Sequence, residues 1–223
     1  MNDANAVIWD VDGTLVDTAE LHFQAWAKLA AEMGLPFTRG GFNSTFGWRN
    51  QEIIPKLFGI QTANEIAKLS DDKEKHYRSQ ARNGVALLPG ARALLNGLHE
   101  AGFLQAIGSS APRANLELIL QLTGTAQFFA AVASMEDTSR GKPDPEVFLT
   151  AAGKLGVEPR RCLVVEDAPV GVQAAKAGGM KCIAVTFVGH HSEFTLRSAG
   201  ADRIVPTLES VSAEDVRAIL GNP

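Results

Sequence analysis

The sequence predicts an α/β fold: a parallel β-sheet core interrupted, after its first strand, by an inserted helical segment. Three observations predict it. Short, almost wholly apolar runs recur along the chain, as in strands buried on both faces of a sheet. Helical patterns separate most of these runs, which is the βαβ arrangement. Between the first run and the second lie about ninety residues, far more than a crossover needs.

Taken in order, "AVIW" (6–9) is the first strand. Asp17-x-x-Glu20 resembles a capping box. Behind it Phe23, Trp26, Ala27 and Ala30 follow helical spacing, as do Leu21, Ala25, Leu29 and Met33. Phe23 and Trp26 read as core. Further helical patterns cover 49–58 and 63–82, and "LLPG" (87–90) then breaks the chain. Residues 16–88 therefore read as a helical domain whose two tethers lie at the carboxyl end of the first strand. Ligands bind at that edge of open α/β sheets, and an insert there can cover the site as a lid. "FLQAIG" (103–108) is the second strand, and Pro112 starts a helix through Leu116, Ile119 and Leu120. "FFAAVA" (128–133) is the third. Asp144 reads as an N-cap with Pro145 at the first helical position. That helix runs through Val147, Phe148, Ala151, Ala152 and Leu155 to a closing Gly156. "CLVVE" (162–166) is the fourth strand, and the helix opened by Pro169 stops at Gly178-Gly179. "CIAV" (182–185) and "RIV" (203–205) complete the set.

The totals bound the function. The 223 residues are 45% hydrophobic and 21% charged, ordinary for a globular chain able to bury a sizeable core. A net charge of -4 with no basic cluster argues against nucleic acid as the main partner. No apolar stretch is long enough to span a bilayer, and "MNDANAVIWD" lacks the features of a signal peptide. Cys162 and Cys182 stand in unrelated contexts and read as buried thiols of a reducing compartment. A soluble, cytoplasmic monomer or weak dimer is expected, with no membrane or nucleic-acid partner.

The chemistry begins in "IWDVDGTLVDT" (8–18), where an apolar run ends in Asp10 and Asp12, followed by Gly13 and Thr14. Two carboxylates one residue apart repel unless a metal ion, a shared proton or water offsets the repulsion. Ser109 and Ser110 follow the second strand. Lys142 lies after the third in "RGKPDP", and Glu166 and Asp167 follow the fourth. In a parallel sheet all these stations share one edge. Carboxylates, an amine and hydroxyls suit phosphoryl transfer, which needs positioning and charge neutralisation. Oxygen ligands favour Mg²⁺, held by Asp10 with Glu166 and Asp167, and such an ion would relieve the crowding of Asp10 and Asp12. One carboxylate can attack phosphorus to form an aspartyl-phosphate, while a second protonates the leaving oxygen. Gly13 lets the chain turn so that its N–H and that of Thr14 face a phosphate. Ser109 and Ser110 can donate to it, and the helix after Pro112 adds a positive dipole end. Lys142 can neutralise a phosphate oxygen.

"DVDGTLVD", a serine after the second strand, "GKPDPEVF" and "VVEDAPVG" resemble the four motifs of the haloacid dehalogenase superfamily, in the family's order and from end to end. The resemblance implies a Rossmann-like core of residues 1–15 and 89–223 with a small α-helical cap of residues 16–88. It implies Asp10 as nucleophile, Asp12 as general acid/base, and Ser109 and Lys142 as phosphate contacts. It also implies Mg²⁺ on Asp10, the backbone carbonyl of Asp12, and Asp167, with Glu166 at or near the ion. An aspartate at position 12 argues for phosphate esters rather than dehalogenation.

"DTAELHFQAW" (17–26) is similar to the first cap helix of the β-phosphoglucomutase and sugar-phosphate phosphatase branch. By that resemblance His22 couples cap closure to catalysis. "FGWRNQEI" (46–53) offers Gly47 and Arg49 for the substrate's distal phosphate. Two departures loosen the mutase reading. Pro112 and Arg113 stand where the mutase has a Lys-Asn pair, and the cap arginine lies one residue closer to its glycine. The expectation is a Mg²⁺-dependent phosphatase of small phosphorylated metabolites, sugar phosphates in particular, with a phosphosugar mutase as the alternative. Lys73 and the run "DDKEK" (71–75) read as a solvated helix face, and His190-His191 as a solvated loop.

Overall fold

A computed structural model describes residues 4–59 and 62–221. Six strands form one parallel sheet: β1 (Ala6–Trp9), β2 (Leu104–Gly108), β3 (Ala131–Ala133), β4 (Cys162–Glu166), β5 (Lys181–Val185) and β6 (Arg203–Val205). Their order is β3-β2-β1-β4-β5-β6. Ile8 of β1 stands beside Ala106 on one side and Val164 on the other. The chain thus grows outward from β1 in one direction, then returns to grow in the other. The crevice beyond the carboxyl ends of β1 and β4 is the topological switch point of the sheet.

β3 is shorter than the run 128–133 suggests. Residues Ala126–Phe128 form a 3-10 turn, and Phe128 and Phe129 pack on the core instead of entering the ladder.

Between β1 and β2 the chain forms α1 (Ala19–Glu32), α2 (Arg39–Asn43), α3 (Asn50–Phe58) and α4 (Ala63–Ala81). These helices bury an apolar cluster of their own around Trp26, Leu29, Phe42, Phe46, Ile53 and Ile54. The capping box expected at Asp17–Glu20 is absent. Thr18 is the N-cap of α1, its side chain caps nothing, and its hydroxyl donates to Asp12 Oδ1 at 2.6 Å. Glu20 pairs with Arg39 and Gln24 on the surface. A complete capping box stands instead at Thr62 and Glu65, at the start of α4.

The outgoing and returning tethers of this insert are bonded to each other. Val16 bridges Leu87 in antiparallel fashion, and the N–H of Leu88 donates to Leu15 O at 3.0 Å. The returning tether ends at Gly90, whose φ of +85° needs glycine. A Cβ there would lie 2.2 Å from the backbone nitrogen of Glu209, so no side chain fits.

Side chains of successive strand residues point to opposite faces, and the helices follow. Val7 and Trp9 pack beneath α5 (Ala91–Glu100) and α6 (Arg113–Thr123). Ala6 and Ile8 face α7 (Glu146–Leu155) and α8 (Pro169–Ala177). α9 (Glu193–Ser198) joins the second layer through Leu196, and α10 (Ala213–Leu220) joins the first through Val216. The N-cap of α7 is Pro145 rather than Asp144; Asp144 stands one residue before it, its Oδ1 accepting from the N–H of Glu146 at 3.0 Å.

Candidate active site

The loop after β1 folds back on itself at once. The N–H groups of Leu15 and Val16 donate to Val11 O, and Gly13 N–H donates to Val16 O. Gly13 has φ +85°, and a Cβ on it would meet Asp167 Oδ2 at 2.3 Å. Glycine therefore lets this turn lie directly against the end of β4.

That approach gathers the four predicted stations. Lys142 Nζ donates to Asp10 Oδ1 at 2.7 Å and to Glu166 Oε1 at 2.6 Å. Glu166 Oε2 accepts from the N–H groups of Asp167 and Ala168, each at 2.7 Å. Thr14 Oγ1 donates to Asp167 Oδ1 at 3.3 Å. Thr14 thus serves a carboxylate rather than pointing into the cavity. Room for Glu166 comes from Gly171 of α8, where a Cβ would fall 1.7 Å from Glu166 Oε1. Ser109 is buried at the end of β2, its Oγ accepting from Ala111 N–H at 3.1 Å. The first N–H of α6, on Arg113, is already taken by Glu136. Part of the positive helix end expected there is therefore answered from within the chain.

Asp10, Glu166 and Asp167 are buried, and their oxygens lie within 4.8 Å of one another. Burial pushes the Asp10 carboxyl up to about 7; Lys142 opposes this, while Glu166 and Asp12 add to it. Burial, Glu166 and Asp10 hold Asp167 well above the usual carboxylate range. Three carboxylates share one ammonium. That uncompensated negative charge, on oxygen ligands alone, fits a hard divalent cation.

Asp12 has the opposite character. Its Oδ1 accepts from Thr18 at 2.6 Å and Tyr77 at 3.3 Å, and meets His22 Nε2 at 3.0 Å. Burial alone would raise its pKa, but His22, Thr18 and Lys73 outweigh it and bring the carboxyl to about 2. Lys73 Nζ lies 2.8 Å from His22 Nδ1. An ammonium only donates, so Nδ1 is placed to accept from Lys73, and Nε2 faces Asp12 as a donor. The His22 ring stacks on Tyr77 at 4.2 Å.

Lys73 is not on a wet face. It is 2% exposed and Glu74 is 4% exposed. Ser70, Lys73, Glu74, Tyr77 and Ala81 form the inward stripe of α4. Lys73 donates to Glu74 Oε1 at 2.8 Å. Glu74 also accepts from Asn50 and, across to the sheet core, from Asn115 of α6. A search for apolar spacing passes over this stripe because it is polar; only Tyr77 and Ala81 mark it. His190 and His191 are likewise half-buried rather than solvated. The His190 ring lies 4.7 Å from that of Phe46, and burial lowers the pKa of both histidines.

A cavity lies between sheet and insert. Asp10, Asp12, Ser109 and Ser110 border it from below. His22, Lys73, Glu74, Asn50, Gly47 and a group of aromatic and aliphatic side chains border it from above. Arg49 does not. Its guanidinium donates to the carbonyl and the hydroxyl of Thr138, outside the cavity, and its stem packs on Gly141. Arg49 Nε has no hydrogen-bond partner among the described residues.

The haloacid dehalogenase-like hydrolase family matches residues 7–185. The chain belongs to that family. It is 34% identical over 188 residues to the β-phosphoglucomutase of Bacillus subtilis strain 168, covering 81% of this chain and 82% of that one. It is 30% identical over 179 residues to the validoxylamine A 7'-phosphate phosphatase of Streptomyces hygroscopicus subsp. limoneus, covering 80% and 84%. CbbY of Rhodobacter sphaeroides, solved with xylulose-(1,5)bisphosphate, superposes with a TM-score of 0.83 at 27% identity, covering 93% of this chain and 96% of that one. The protein is thus a phosphohydrolase of the β-phosphoglucomutase-like branch. Among the described residues no helix is long and apolar enough to cross a membrane.

Proposed function

We propose that the protein is a Mg²⁺-dependent phosphatase of small phosphorylated sugars that works through an aspartyl-phosphate on Asp10. The observation that carries the reading is the convergence of a buried Asp10 with Lys142 and two further carboxylates, beneath a cavity whose other acid is Asp12. Asp10 and Asp167 would hold the ion with Glu166 beside them, and when bound it neutralises charge on the cluster and on the transferred group. Glu166 is occupied by Lys142 and two N–H groups, which suits it to orienting Lys142.

In the first half-reaction an Asp10 oxygen attacks phosphorus, the ester P–O bond breaks, and the leaving oxygen takes the proton of Asp12. The phosphate dianion beside Asp12 raises that carboxyl and favours its protonated form. In the second, a water oxygen attacks the acyl phosphate, Asp12 recovers a proton from that water, and phosphate leaves. Ser109 and Ser110 hold phosphate oxygens. Residues 16–88 act as the lid, over a catalytic core of 1–15 and 89–223. Two free, buried cysteines suit a cytoplasmic enzyme.

The test is phosphate release from a panel of phosphorylated metabolites with and without Mg²⁺, for the natural chain and Asp10→Asn. Mg²⁺-dependent release that Asp10→Asn abolishes is expected. Activity retained in Asp10→Asn would remove Asp10 as nucleophile. Conversion of β-glucose 1-phosphate to glucose 6-phosphate only with glucose 1,6-bisphosphate would replace the phosphatase reading by the mutase one.

A further inference from the structure

We infer that Asn115 is a positioning residue for the reaction: from the sheet core it holds the insert where Lys73, His22 and Asp12 line up. The inference deepens the phosphatase reading and takes its kinetic consequence from it.

Asn115 is the third residue of α6. Asparagine is a poor helix former because its amide competes for backbone groups, and here the amide does not serve the helix. It is buried, and a buried amide is costly unless its polar ends are bonded. Both partners come from the insert. Nδ2 donates to Glu74 Oε2 at 2.5 Å, and Oδ1 accepts from Arg78 Nη1 at 2.9 Å. Glu74 and Arg78 stand four residues apart on α4, neighbours on one face of a helix, so a single amide reaches both.

From Glu74 the contacts run on toward the site. Its Oε1 accepts from Asn50 at 2.7 Å and from Lys73 at 2.8 Å. Lys73 meets His22, and His22 meets Asp12. The path leaves the sheet core at Asn115 and re-enters it at Asp12, and every residue between belongs to the insert. It is complete only with the insert in this position. Among the described residues, side-chain hydrogen bonds join insert and core at three places: Asp12, Thr138 and Asn115. Asp12 belongs to the reacting centre, and Thr138 holds Arg49 of the turn before α3. Asn115 lies outside the cavity lining and holds α4, the helix that carries Lys73 and Tyr77. Hydrogen bonds weaken steeply with misalignment, so releasing α4 at Asn115 loosens the contacts it makes at the Asp12 end.

The test takes two readouts on Asn115→Asp, Asn115→Ala and the double variant Glu74→Gln/Asn115→Asp. One is kcat/KM, with Mg²⁺, for the sugar phosphate that the natural chain turns over fastest. The other is the insert-to-core distance by pulsed electron paramagnetic resonance. Spin labels go on Lys68→Cys of α4 and Phe194→Cys of α9, both exposed, and the native thiols are buried. Asn115→Asp sets a second carboxylate against Glu74. It should broaden the distance distribution and lower kcat/KM by about 10–100-fold, the factor for lost hydrogen bonds to charged groups, at a temperature where circular dichroism shows the fold intact. Asn115→Ala keeps a good helix former, should act in the same direction, and stands in for Asn115→Asp should that chain not fold. The double variant exchanges amide and carboxylate. It should regain about fivefold or more in kcat/KM over Asn115→Asp and narrow the distribution again. Unchanged distances in both single variants, or kcat/KM within about twofold of the natural chain, overturn the inference. A lowered Tm with unchanged distances and no recovery in the double variant makes Asn115 merely structural and overturns it too. If the natural chain releases phosphate from no ester with Mg²⁺, the phosphatase reading itself fails, and the distances alone decide whether Asn115 holds the insert.

Discussion

The crowded carboxylates make one quantitative demand, which Mg²⁺ titration at two pH values tests. Asp10 titrates near 7 because burial and Glu166 outweigh Lys142. An unfolded aspartate titrates near 3.9. The folded metal-free protein therefore binds more protons than the unfolded chain between these values. Its stability falls as pH rises from about 4 through about 7, by about 4 kcal/mol at most. A divalent cation requires the ionised carboxylate. At pH 8 Asp10 is already ionised, and Mg²⁺ at about 100 times its Kd should stabilise by about 3 kcal/mol. For a chain of this size that is roughly 5–10 °C in Tm. At pH 5 the ion must displace a proton held about two units more tightly than the solvent supplies it. That weakens binding by about 100-fold, or about 3 kcal/mol. Asp167, also raised, acts in the same direction. Thermal melts with and without Mg²⁺ should show the shift at pH 8 and little or none at pH 5. The same shift at both pH values, or none at pH 8 with saturating Mg²⁺, would refute the account of the cluster.

Other consequences follow from single contacts. Asp12→Asn should slow turnover by about 10²–10⁴-fold with an unchanged circular dichroism spectrum, and mass spectrometry should find phosphate retained on Asp10; normal turnover would remove Asp12 from the proton transfers. Lys73→Met leaves Glu74 buried without its cation and should cost about 3–5 kcal/mol by urea unfolding; a loss below about 1 kcal/mol would mean the pair is solvated like a surface bridge. Gly171→Ala places a methyl on Glu166 and should lower both Tm and activity, whereas a variant equal to the natural chain in both would show that α8 yields freely.

The strands and the convergence of the candidate site residues are legible for the same reason. A strand buried on both faces must be apolar, so carboxylates at the ends of "AVIW" and "CLVVE" stand out as exceptions with a purpose. The boundaries of β1, β4 and β6 follow from those runs. β3 was overextended because Phe128 and Phe129 are apolar for packing, not for pairing. The upper half of the cavity was hidden in a different way. α4 turns a lysine and a glutamate inward, and a pattern that equates charge with solvent assigns both to the wrong side. Their mutual neutralisation, with Asn50 and Asn115 completing the hydrogen bonds, is a tertiary fact. Arg49 shows the same limit, since its residue type announces anion binding, while its partner, Thr138, lies 89 positions away.

The paired tethers set the mechanics of any opening movement. Two separate strings would let the helical insert slide, twist and tilt. A ribbon stitched at Val16–Leu87 and Leu15–Leu88 bends readily about one axis and resists shear. The Gly90 contact with Glu209 stops the bend from migrating into the sheet. An insert opening on this ribbon would swing along a single arc. Thr18, His22 and Tyr77 all meet Asp12 Oδ1 from the insert, so a swing of the insert would take from that one carboxylate several of its partners at once.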